Sequence, residues 1–83
     1  MAYAVEMIAD FKTRVGEGPV WNPKRQILNW TDIQTGRLFE YDPSTGESHK
    51  IYQGEYIGGH TNNKQGGFVV ASWSGIGLWR EGE

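Results

Sequence analysis

Cysteine is absent from the 83-residue chain. No disulfide can staple the fold and no thiolate can bind a metal, which suits a reducing, cytoplasmic setting. No apolar run has the length of a membrane span, and no basic-then-apolar layout marks a signal peptide. Asn29-Trp30-Thr31 is formally a glycosylation sequon, read as chance without a secretion signal. Strong charge of either sign is also missing. A net charge of -2 gives no electrostatic reason to expect nucleic acid or an anionic membrane as partner. No window carries a sustained helical stripe. At this size folding buries only about 60% of the unfolded surface, so stability is marginal unless other surface is covered.

Glycine and aromatic residues are abundant, with 12 Gly and 4 Trp. Turn residues punctuate short aromatic and β-branched runs, the pattern of strands joined by tight turns. Eight strands are expected, over 4–11, 18–21, 27–33, 37–41, 48–52, 56–61, 67–73 and 76–80. Asn22-Pro23-Lys24-Arg25 and Asp42-Pro43-Ser44-Thr45-Gly46 are the clearest turns.

The chain also resembles itself when shifted by 40 residues: Gly18 falls on Gly58, Asn22 on Asn62, Lys24 on Lys64, Leu38 on Leu78 and Phe39 on Trp79. Four strands recurring at about this period indicate propeller blades. Residues 15–54 make a first blade, and 55–83 make a second that lacks its outer strand. The same shift carries Ile51 past residue 83 and, wrapped round, onto Ile8. Residues 4–11 are therefore expected to complete the second blade's outer edge, most naturally between copies of the chain.

Gly16-Glu17-Gly18-Pro19-Val20-Trp21 is followed by Leu28, Trp30, Asp32-Ile33, Gly36-Arg37-Leu38, Tyr41-Asp42-Pro43 and Thr45-Gly46-Glu47. This succession resembles the start of the gluconolactonase, regucalcin and luciferin-regenerating family. Gly66-Gly67-Phe68-Val69-Val70-Ala71 with Gly77-Leu78 resembles that family's next blade. The resemblance runs from Val15 onward. It implies an all-β, six-bladed propeller whose channel holds one divalent metal, calcium or zinc, and a lactone-hydrolysing activity. It also implies that the acid of the Gly-Glu-Gly-Pro run, Glu17, is a metal ligand. The family's further ligands, an asparagine and an aspartate, belong to later blades.

Read from the residues alone, Glu17 is an exposed acid at a strand start; the resemblance turns that reading towards a ligand. Its repeat counterpart, Ile57, carries no charge, so a role common to every blade does not explain it. Asp32 and His60 are candidate channel-lining residues. An Asp at a strand end more often accepts backbone hydrogen bonds, and a lone His is more often structural. Asn62 and Asn63 read as turn residues, and the tryptophans as inter-sheet core. Ser72 and Ser74 lack a nucleophile elbow and a base, which argues against a serine hydrolase.

Three readings follow. The chain is part of a metal-dependent lactonase propeller, a self-assembling module, or an inactive fragment. In the second reading three copies of two blades close a six-bladed ring that binds a small ligand, such as a lactone or sugar, or a metal, without catalysis.

Overall fold

The computed structural model describes residues 4–80. Strands β1 (Gly16–Asn22), β2 (Ile27–Asp32), β3 (Arg37–Asp42) and β4 (Glu47–Gln53) form one antiparallel sheet in chain order. Strands β5 (Ile57–Asn62), β6 (Phe68–Ser72) and β7 (Gly75–Trp79) form a second. No helix occurs among the described residues, so none is long and apolar enough to cross a membrane. The chain is all-β, with sheets of four and three strands.

Local chemistry sets the turns. The side-chain oxygen of Asn22 accepts from the Lys24 and Arg25 amides, both at 3.1 Å. Asp42 accepts from the Ser44 amide at 2.9 Å, and its carbonyl from Gly46 N at 2.8 Å. Gly46 closes that turn at φ 74°, a left-handed conformation that glycine adopts without strain.

The sequence repeat has a structural counterpart. In β1, Glu17 opposes Thr31 and Val20 opposes Asn29, so one extra residue bulges between them. In β5, Ile57 opposes Ser72 and Gly59 opposes Ala71, which leaves Gly58 as the extra residue. The bulges fall at Gly18 and Gly58, the pair related by 40 residues. The offset drifts further along the chain. Leu28 opposes Tyr41 while Val69 opposes Leu78, so Leu78 occupies the place of Tyr41, not that of Leu38. Turns of unequal length cause this drift: 63–67 is longer than 23–26, and 73–74 is shorter than 33–36.

The sheets pack face to face. Period-two alternation sends Ile27, Asn29 and Thr31 of β2, with Leu38 of β3, into the seam. Ile57 and Phe68 meet them from the second sheet, and all six are buried. Tyr52 and Trp79 close the outer part of the seam edge to face, at 5.9 Å. Asn62 bridges it by donating to the Trp21 carbonyl at 3.2 Å.

Residues 4–11 form no strand in this single chain. Phe11 instead stacks at 4.4 Å on Phe39 and lies 6.4 Å from Trp30, on the face of the first sheet that looks away from the seam. Arg37 fixes this arm by donating to the Phe11 carbonyl at 3.1 Å. Phe39 is fully buried as a result. The matching face of the second sheet has no such cover: Trp73 and Ile76 are 82% and 76% exposed, with Tyr56 and Leu78 beside them.

Candidate functional site

Glu17 is exposed on β1, immediately before the bulge. Gly18 has φ 64°, which favours glycine, and Pro19 has no amide to waste on a broken ladder. A bulge re-aims the side chains beside it. The Glu17 carbonyl accepts from Thr31 Oγ1 at 3.3 Å, which holds the backbone. The Glu17 carboxylate has no hydrogen bond or ion pair among the described residues. It is a free acid on a fixed strand.

Asp32 is engaged very differently. It is fully shielded at the end of β2. Its two oxygens accept from the amides of Arg14 (2.9 Å) and Val15 (2.7 Å), from Thr35 Oγ1 (2.9 Å) and from Arg37 Nη2 (3.1 Å). Burial alone would raise its pKa, but these four donors outweigh it and hold the carboxyl down at about 2. Asp32 therefore fastens the chain entering β1 to the β2–β3 turn, and little of its acceptor capacity is left for a metal.

The second sheet solves the same problem with the carboxylate on the other partner. Glu55, just before β5, accepts from Ser72 Oγ (2.7 Å), the Ser74 amide (3.1 Å) and Ser74 Oγ (2.7 Å). Sequence reasoning gave Glu55 no role and left Ser72 and Ser74 without one. Nothing in the local pattern marks this clasp, because the partners lie 17 and 19 residues away.

His60 lies on β5 in the seam, edge-on to Phe68 at 5.4 Å. A Cβ at Gly18 would stand 4.0 Å from its Nδ1. Both ring nitrogens are buried without a hydrogen-bond partner. Burial pushes its pKa down, so the fold favours the neutral ring, and acidification below the ordinary value of about 6.5 works against the seam. His60 borders a cavity of about 150 Å³ with Leu38, Tyr52 and Val70. The structure thus places Glu17 and His60 on neighbouring strands, while Asp32 is committed to the loop before β1. Among the described residues no group of three or more His, Cys, Asp or Glu is gathered as a metal site.

Asn63 is a turn residue, accepting from the Gln65 amide at 3.3 Å. Asn62 is not: it is the last residue of β5 and spans the seam.

Comparison with protein-family models matches residues 15–83 to the SMP-30/Gluconolactonase/LRE-like region. The chain belongs to this family. Relatives agree. A pentonolactonase of Haloferax volcanii is 40% identical over 66 residues, 80% of this chain and 23% of that protein. A 6-deoxy-6-sulfogluconolactonase of Pseudomonas putida is 44% identical over 64 residues, 77% of this chain and 22% of that protein. Regucalcin of Xenopus laevis is 31% identical over 67 residues, 81% of this chain and 22% of that protein. The chain spans less than a quarter of the length of these curated relatives. The match to the family begins at Val15, so the arm that Phe11 packs down lies outside it.

Proposed function

We propose that the chain forms two adjacent blades of a six-bladed, metal-dependent lactone-hydrolysing propeller, with Glu17 as one ligand of a calcium or zinc ion in the central channel. The observation that carries this reading is the state of Glu17. Its carboxylate is exposed, unpartnered and set beside a glycine bulge on the first strand of a sheet. The lactonases among the relatives point to the reaction class. When bound, such an ion polarises a lactone carbonyl or positions water.

The fit of the described residues to a metal is partial. Calcium takes about six to eight oxygen ligands, and one carboxylate supplies at most two. The remaining donors are waters and groups beyond the described residues. Asp32 is left out of the set because four donors already occupy it. His60 stands as a neutral seam residue beside the channel strand. On this reading the chain by itself shows weak lactone hydrolysis or none.

Melting curves test the assignment. Calcium or zinc at about 100 times its Kd adds about 2.7 kcal/mol to the folded state, or about 10 °C or more in a domain of this size. The rise should reverse with chelator and shrink in Glu17→Gln. An unmoved wild-type melting temperature, or an equal rise in the Gln variant, counts against Glu17 as a ligand.

The bare outer face of the second sheet favours a further reading for the chain as given. Tyr56, Trp73, Ile76 and Leu78 present apolar surface that a neighbouring blade would cover. Three copies would close a ring of six blades, with residues 4–11 of one copy pairing along β7 of the next. Light scattering tests this directly: a mass three times that of the chain supports the ring, and a folded monomer removes it.

A further inference from the structure

The repeat places more than strands. Its two lysines, Lys24 and Lys64, sit in equivalent turns, β1–β2 and β5–β6, and both border one cleft of about 720 Å³ at that end of the seam. Ligand clefts commonly hold about 300–1,000 Å³. Arg25 and Glu40 also line it, with Trp79 and Phe68 among its apolar walls. Three cations thus face one carboxylate, in a chain whose net charge is -2. The carboxylate is already taken, since Glu40 lies 3.7 Å from Arg25. Neither lysine ammonium has an ion pair among the described residues.

The walls are built rather than loose. Asn22 holds the first turn through the Lys24 and Arg25 amides. Asn63 holds the second through Gln65 N. The Asn62 amide ties the two sheets together beside the cleft, at the Trp21 carbonyl. Bulky side chains are missing where the second turn meets β7: a Cβ at Gly67 would overlap the Trp79 carbonyl. The cleft is separate from the Glu17 position. Glu17 is the second residue of β1 and Asn22 its last, a rise of about 17 Å at 3.3 Å per residue.

We propose that this cleft binds a small organic anion, its carboxylate or phosphate between Lys24 and Lys64 and its flat or apolar body against Trp79. Two ammonium groups supply the charge, and the low-dielectric aromatic wall strengthens it relative to open surface. An extended polyanion is the poorer match, because the positive groups are confined to one concavity in an acidic chain.

Amide and indole NMR spectra of the full chain test this with phenyl phosphate, benzoate and inorganic phosphate, each compared with sodium chloride at equal ionic strength. Phenyl phosphate and benzoate should give saturating shifts at residues 24–26 and 64–66 and at the Trp79 indole N–H. Inorganic phosphate should move the turns but not the indole. The arms separate phosphate from carboxylate recognition, and charge from body. The double variant Lys24→Gln/Lys64→Gln, with its other resonances in place, should bind at least tenfold more weakly. Lys12→Gln, which removes an exposed cation outside the cleft, should bind as wild type. Shifts that rise linearly at all lysines, match those in chloride, or persist in the double variant would overturn the proposal. An indole unmoved by phenyl phosphate would overturn the placement of the body.

Discussion

Asp32→Ala should cost about 3–5 kcal/mol of folding stability, the scale for removing one member of a buried charged network. The mutation strands several donors at once: two backbone amides, the Thr35 hydroxyl and the Arg37 guanidinium. Asp32→Asn should cost less, because one oxygen still accepts, but the amide nitrogen then faces donors. Chemical denaturation midpoints measure both. The same carboxylate sets a pH dependence. Its folded pKa of about 2 lies below the ordinary aspartate value of 3.8. Its contribution is therefore fully present above about pH 4, and is lost as pH falls through about 2. Asp32 lies beneath a thin arm rather than deep in a core, so this part is about 1–2 kcal/mol. Asp42 and Glu55 are also lowered, by hydrogen bonds from Ser44 and from Ser74 and Ser72 respectively. Comparing wild type with Asp32→Asn across this range isolates Asp32. Parallel curves would show that its donors do not hold the proton off.

Gly36→Ala should be nearly as damaging, for a steric reason. Gly36 has φ 67°, and a Cβ there would overlap the carbonyl oxygens of Gly54 and Glu55. Those residues connect the two sheets, and Gly54 N donates to the Gly36 carbonyl at 3.0 Å. Backbone cannot step aside as a flexible side chain can, so the linker must shift and β5 with it. Left-handed strain costs about 1–2 kcal/mol. The displaced linker brings the loss to at least about 3 kcal/mol. Gly46→Ala is the control. It has φ 74° but nothing within 4 Å of the added carbon, so it should lose only the strain. Equal losses at the two positions would mean that the contact with 54–55 carries no energy.

Much of the fold can be read in the chain because its turns are chemically explicit. Asn22, Asp42 and Gly46 name their turns, and the strands between them have little alternative. The Asp32 hydrogen bonds follow the common habit of an Asp at a strand end. Other features depend on partners far along the chain. The bulge at Gly18 is visible only in the ladder. The Glu55 clasp needs Ser72 and Ser74 brought back by a hairpin. Residues 4–11 have the composition of a strand but join neither sheet in the single chain, where Phe11 covers Trp30 and Phe39. The drift of the repeat from Leu38 to Tyr41 as the counterpart of Leu78 came from turn lengths, which identity at a fixed shift cannot detect. Glu17 is the reverse case: the local residues alone read as a solvated acid, and its proposed role as a ligand comes from the family resemblance.

Whether Glu17 binds a divalent cation is decided by calorimetric titration of the folded chain with calcium. The wild type and Glu47→Gln, a change at an exposed acid in β4, should both bind saturably. Glu17→Gln should bind at least tenfold more weakly, by about 1.4 kcal/mol or more. No saturable heat from the wild type, or the same isotherm from Glu17→Gln, would contradict binding at Glu17.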